Sequence, residues 1–477
     1  MFDGITYEKG AAVLRMLESY LGPETFRKGV NAYLAAHANG NATSADFWQA
    51  EAQVSGKPVD KIMPTFVLQP GVPLISVEDA CNSGTGKLTL EQQRFLISSE
   101  KFASPGRELW QIPVCTKTGQ SSDQGCSLMT QREQTASTSS CRDWIYGNRD
   151  AKGYYRMAYR PEQLKKISEI AEQQLNVPER ISLIEDTWAL TRAGKNAVAG
   201  FLDLAQQLRS DDNRHVVGLL ARHWEYVEDS LVTPGNEESY REAVRVQFAP
   251  LAKTLGWNSR ASDTDEQKAL RAELLTTLGS AGDPQAVAAA RKIVAEYMQN
   301  PSSVDGTISG SAFTVAAANG DPAFYERLST ALRSAKTSDQ YNHYLYALAA
   351  FQEPALLAHT MELVDQGKVR QQDYPRFFGA LLSNPRSRDS AWKYLKDHWA
   401  DMAQKVTSFG GAGAVSALGN GCSAEMRDDI RQFFAHNPAP GAQRAVQQSL
   451  ERIDGCIDFQ QTQRASFQSW LSAARQK

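Results

Sequence analysis

The chain has 477 residues, 42% of them hydrophobic and 22% charged, and a formal net charge of -3. That length exceeds one ordinary core and predicts two to four domains. No Lys/Arg block stands out, which argues against nucleic acid as a partner, and no window approaches the ~18 uninterrupted apolar residues of a membrane span.

Residues 1–70 read as helices. Apolar residues at Val13, Leu14, Met16, Leu17, Tyr20 and Leu21 have the spacing of an amphipathic helix running from Tyr7. Asp3 or Thr6 is placed to cap it. Gly22 ends that helix and Pro23 opens a second, which carries Phe26, Val30, Tyr33 and Leu34. After the Asn39-Gly40-Asn41 turn, Thr43-Ser44-Ala45-Asp46 has the form of a capping box before Phe47 and Trp48. Gly56-Lys57-Pro58 breaks the chain again before Ile62, Met63 and Phe66.

From Pro70-Gly71-Val72-Pro73 the period changes. Leu74 to Val77, Leu88 to Leu90, Leu109 to Val114 and Trp144 to Tyr146 are short strand-like runs, and Tyr155, Met157 and Tyr159 alternate with Arg156 and Ala158. Turn-forming clusters such as Ser121-Ser122-Asp123-Gln124-Gly125 lie between them. This pattern predicts a small antiparallel β-sandwich over residues 71–160.

After Pro161 the helical period returns and lasts to the end. Helix-sized segments run over 164–174, 183–192, 198–208, 216–227, 239–255, 269–278 and 286–299, then 324–335, 339–351, 356–366, 375–382, 390–406, 424–434, 440–455 and 459–475. Their short connectors carry Gly, Pro, Asp or Asn. Helix pairs of this kind predict an irregular armadillo- or HEAT-like solenoid over residues 161–477. The predicted fold class is mainly α and multidomain.

The six cysteines are Cys81, Cys115, Cys126, Cys141, Cys422 and Cys456. None forms Cys-x-x-Cys or stands at metal-ligand spacing from a histidine. An even count of this kind fits disulfides in an exported protein, with reduced buried thiols as the alternative. Cys115 and Cys126 flank a turn-rich stretch, and Cys81 with Cys141 and Cys422 with Cys456 are the simplest remaining pairs among fifteen connectivities. Met-Phe-Asp-Gly at the amino end has no signal-peptide pattern.

The segment from Phe2 to Leu14, Phe-Asp-Gly-Ile-Thr-Tyr-Glu-Lys-Gly-Ala-Ala-Val-Leu, resembles the signature that supplies a catalytic tyrosine in aminopeptidase N-like zinc metallopeptidases, the gluzincin aminopeptidases. Gln69-Pro70-Gly71-Val72-Pro73 resembles the family's exit from the catalytic domain, and Gly153-Tyr154-Tyr155-Arg156 its last sandwich strand. Leu255-Gly256-Trp257 and the stretch from Asn384 to Trp392 are similar to family segments within the helices. The resemblance covers nearly the whole chain, and its helical part is similar to the carboxy-terminal domain of endoplasmic-reticulum aminopeptidases. It implies that residues 1–70 are the helical carboxy-terminal part of a thermolysin-like catalytic domain. It further implies that Tyr7 donates a hydrogen bond to the oxyanion formed at the peptide carbonyl, that zinc is the parent's cofactor, and that peptides are its substrates.

The chain departs from the family in one respect: it contains no His-Glu-x-x-His. Its histidines are His37, His215, His223, His343, His359, His398 and His436, and no two stand four apart, the spacing that sets two imidazoles on one helix face. The resemblance therefore implies a missing amino-terminal, zinc-bearing domain, and predicts neither catalytic zinc nor peptide hydrolysis by this chain alone.

Other candidates are weaker. Glu8 and Lys9 read as solvated or structural. Phe409-Gly410-Gly411-Ala412-Gly413-Ala414 lacks the Lys-Ser/Thr of a phosphate cradle and reads as a helix connection. His223, with Trp224 and Glu225, is a possible metal neighbour whose ordinary reading is a packed or surface residue. The resemblance makes Arg386, Arg388, Arg427 and Arg431 candidates for a peptide carboxylate, with surface solvation as the ordinary reading. The expected function is the carboxy-terminal portion of an exported zinc aminopeptidase. The alternatives are a non-enzymatic helical scaffold that binds a peptide or protein, and one polypeptide of a split aminopeptidase.

Overall fold

A computed structural model of the chain describes residues 5–82, 85–98, 106–119, 126–138, 141–407, 412–439 and 441–474. The chain is mainly helical and forms two compact units, Met1–Leu208 and Arg209–Lys477.

The first unit opens on a π-turn, Ile5–Lys9, that runs directly into α1 (Gly10–Leu21). The expected capped start at Tyr7 is therefore replaced by a wider turn continuous with the helix. Lys9 already has helical angles (φ -62°, ψ -46°), and no side chain caps α1. Asp3 lies outside the described residues. Gly22 ends α1 at φ 92°, where a side chain would be strained, and Pro23 begins α2 (Pro23–Ala36). Thr43 and Asp46 form the reciprocal capping box of α3 (Ser44–Ser55), and α4 spans Val59–Val67. Met16 and Leu17 of α1 and Ile62 and Phe66 of α4 are buried.

The β region holds a four-stranded sheet and two two-stranded ones. β1 (Pro73–Asn82) pairs antiparallel with β2 (Thr85–Arg94), Val77 opposite Leu90. β3 (Ile112–Cys115) pairs with β5 (Cys126–Met129), and β4 (Lys117–Thr118) with β7 (Ile145–Tyr146). β6 (Glu133–Thr138) and β8 (Arg156–Ala158) flank the main sheet in the order β6-β2-β1-β8. The run from Leu109 becomes a strand only at Ile112. Leu109 exchanges backbone bonds with the Gln69 amide (2.9 and 3.3 Å) and Trp110 with the Gln92 amide (2.9 Å each), so neither residue joins a ladder. Cys81 is joined to Cys141 and Cys115 to Cys126. Helices α5 (Pro161–Gln174), α6 (Val177–Arg192) and α7 (Val198–Gln207) complete this unit.

Among the described residues of the second unit all regular secondary structure is helical. Four segments differ from the periodicity reading, one of them Ala412–Ala417, a short helix where the Gly-rich stretch read as a connection. A helix at Gly306–Ala318 forms in a stretch rich in Gly, Ser and Ala. Its Val315 packs directly on Gly279, so small residues allow the close approach that makes it stable. Gly455 does not break the last helix, Gln443–Ala474, because Ile453, Cys456 and Phe459 are buried on either side. Residues 390–406 are two helices, Arg388–Asp397 and Trp399–Thr407, meeting at His398. Cys422 is joined to Cys456. Among the described residues no helix is long and apolar enough to cross a membrane.

Candidate active-site tyrosine and its surroundings

Tyr7 stands on the π-turn with 57% of its surface exposed. π-Turns often occur at functional sites, where the extra residue per turn re-aims a side chain. One turn further on, α1 is anchored by Val13, Met16 and Leu17, all buried. The turn is thus attached to a fixed helix while more than half of the Tyr7 surface is exposed.

Lys9 closes the π-turn and is half-buried; burial pushes its pKa down. Its ammonium lies 5.9 Å from the centre of the Tyr154 ring. The Tyr154 backbone N–H donates to Met16 Sδ at 3.4 Å, and its ring meets Phe66 edge-on at 6.2 Å. Lys9 is therefore packed and Glu8 exposed, the structural and the solvated member of the pair. The sequence contains both partners of this contact, but nothing in their spacing brings positions 9 and 154 together.

The described residues hold no group of three or more His, Cys, Asp or Glu able to hold a metal ion, so they do not fit a zinc site. His223 sits half-buried on the helix Arg214–Leu231 and belongs to no such group. Glu225, Glu228 and Asp229 of that helix, with Glu273 of the helix Asp265–Ser280, have carboxyl pKa values raised by burial, Glu228 to about 7. The positive charge of Arg388 works against that rise at Asp229.

Of the four candidate arginines, Arg388 donates to the carbonyls of Leu382 (2.9 Å) and Ser383 (3.2 Å). Arg427 and Arg431 both bind Asp428, and Arg427 also binds Asp454 at 3.0 Å. Arg386 is exposed. Residues 409–411 of the Gly-rich stretch lie outside the described residues. A cavity of about 590 Å³ covers one face of the four-stranded sheet, lined by Glu78, Lys87, Thr89, Glu91 and Arg160 among others; Tyr7 is not part of it.

Residues 144–455 match the family described as the ERAP1-like C-terminal domain, and residues 1–66 match the Peptidase family M1 domain. The chain belongs to the M1 aminopeptidase family. Tyr7, Lys9 and Met16 fall in the M1 match and Tyr154 in the ERAP1-like one. Aminopeptidase 2 of Candida albicans is 26% identical over 99% of this chain and 52% of its own length. Aminopeptidase M1 of Arabidopsis thaliana is 29% identical over 95% of this chain and 53% of its own, and the glutamyl aminopeptidase of Bitis rhinoceros 28% identical over 99% and 50%. The chain thus spans about half the length of the curated relatives it matches.

Proposed function

We propose that these 477 residues act as the carboxy-terminal half of a zinc aminopeptidase that removes amino-terminal residues from peptides. The zinc ligands, the general base and the groups that bind the substrate amine are supplied by sequence outside them. The observation that carries this reading is the M1 match over residues 1–66, with an exposed Tyr7 inside it, in a sequence without His-Glu-x-x-His. In this reading Tyr7 is a protonated phenol that donates a hydrogen bond to the oxyanion at the scissile carbonyl. Residues 1–70 are the end of the catalytic domain, 71–160 a sandwich that acts as a spacer, and 161–477 an armadillo- or HEAT-like solenoid that walls the substrate space. Three disulfides support export to an oxidising compartment.

Apolar exposure in the first helices favours completion by further protein over a stand-alone scaffold. Besides Tyr7, Leu14 is 39%, Leu34 58%, Val54 38%, Val67 52% and Leu68 74% exposed. A free-standing helical array ends in a polar cap, whereas a surface made to be covered is apolar. That completing protein is either part of the same polypeptide or a second one.

The test is turnover of aminoacyl-4-nitroanilides by the purified 477-residue chain, alone and after mixing with a polypeptide that carries an M1 zinc motif. No turnover alone and turnover after mixing is the expected result. Turnover with stoichiometric zinc by the chain alone refutes the proposal.

A further inference from the structure

We propose that Tyr154 is a positioning residue for Tyr7, acting through Lys9 and Met16. The inference rests on the reading of Tyr7 as an oxyanion donor, because only such a role requires the turn to be held in place. A hydrogen-bond donor to a developing charge works when fixed to within a fraction of an ångström. Tyr7 lies on a π-turn that runs into α1, and π hydrogen bonding is less regular than that of the helix it joins. α1 holds the turn from one end through Val13, Met16 and Leu17, and Tyr154 is placed to hold it by packing from outside the helix.

Its ring lies under the Lys9 ammonium, at the end of the π-turn. Its backbone N–H is bonded to Met16, seven residues further along and so on the same helix face as Lys9. Phe66 of α4 backs the ring from a third direction. Tyr154 is itself held firmly. Asn148, buried, takes the Gly153 N–H at 2.8 Å and donates to the Gly153 carbonyl at 3.3 Å. The buried Tyr155 hydroxyl donates to the Gly147 carbonyl at 3.0 Å and accepts the Cys115 N–H at 3.4 Å. Arg156 is anchored to Asp186 at 3.1 Å. The residues on both sides of Tyr154 are thus tied to the β region, which makes it a rigid post against the turn that carries Tyr7.

Hydrogen–deuterium exchange of the whole chain, read by mass spectrometry, tests this independently of catalysis. Tyr154→Ala is expected to speed exchange in peptides covering residues 5–17 roughly tenfold, while α5 and α6 are unchanged. Tyr154→Phe keeps the ring and its cation contact and is expected to restore wild-type exchange. Unchanged exchange in Tyr154→Ala overturns the proposal, and so does failure of Tyr154→Phe to restore it. If Tyr154→Ala loosens α5 and α6 as well, Lys9→Met decides: faster exchange confined to residues 5–13 upholds the clamp, and no change overturns it. A clamp upheld by exchange in a reconstituted enzyme indifferent to Tyr7 would instead sink the catalytic reading alone.

Discussion

The carboxylate of Glu51 in α3 lies directly against Gly29 of α2, fully buried, and neither of its oxygens has a hydrogen-bond partner. A methyl group at position 29 would overlap that carboxylate. Alanine in place of a mid-helix glycine normally gains about 1 kcal/mol from helix propensity. Overfilling a packed contact costs about 1–3 kcal/mol, so here the steric term wins. Gly29→Ala is expected to lower the Tm of the first unit in the wild type and to raise it in a Glu51→Ala background. Equal shifts in the two backgrounds, measured by calorimetry, would disprove the contact.

The same carboxyl makes stability depend on pH. Burial raises its pKa from the ordinary 4.5 to about 7. Between those values the folded chain keeps a proton that the unfolded chain releases. The stabilisation is therefore complete below 4.5 and is lost as pH rises through 7. Glu51→Gln removes the loss, so the variant should melt a few degrees above the wild type at pH 8 and show no such gain near pH 4. A wild type that melts no lower than the variant at pH 8 would count against the shift.

The local features of these helices are legible in the sequence, and the long-range ones are not. Gly22, Pro23, Asn39 (φ 57°) and the Thr43–Asp46 box each act on backbone within four residues, so their chemistry reads directly from the chain. The π-turn under Tyr7 carries no residue-type signature. Glu51 looks like a solvated helix residue until α2 covers it. Gly455 looks like a break until the packing of its neighbours overrides propensity. Tyr7 is visible only through its motif, and its link to Tyr154 only in three dimensions.

Glu179 shows how much one distant pairing can hold. Fully buried, it accepts from Lys117 Nζ at 2.7 Å and from the backbone N–H groups of Asn176 and Asp150 at 2.9 Å each. It thereby joins β4, the start of α6 and a turn in which Asp150 has φ 60°. Glu179→Gln must point its amide N–H₂ at one of those donors. The expected cost is about 3 kcal/mol, the scale of an unpaired buried charge. Adding Lys117→Met should recover part of it, because the orphaned cation is removed. Strict additivity in chemical denaturation would contradict the pairing.

His343 should shape the acid side of the stability curve. Its Nε2 is 3.2 Å from Ser309 Oγ, its Nδ1 is 3.1 Å from the Tyr297 hydroxyl, and its ring stacks on Phe313 at 5.4 Å. Burial lowers its pKa from 6.5, only partly opposed by Asp339 at 3.4 Å. Below 6.5 the unfolded chain takes up a proton that the folded chain resists, so stability falls as pH drops. His343→Gln should flatten that acid decline in the second unit while leaving the slope above pH 7 unchanged. The same acid slope in both proteins would remove His343 as its source.

Tyr7 provides the most direct chemical prediction. In an enzyme completed by a zinc-bearing polypeptide, Tyr7→Phe removes one hydroxyl and keeps the ring. The lost donor acts where charge develops in the transition state, so kcat should fall by about 10²–10³-fold with KM nearly unchanged. If Tyr7 served only to pack the turn, phenylalanine would preserve kcat, because the ring that does the packing is retained. A rise in KM at constant kcat would instead mark Tyr7 as a uniform binding contact, felt equally by substrate and transition state. Steady-state kinetics on the two proteins separates the three outcomes, and only the first makes the phenol hydroxyl part of the chemistry.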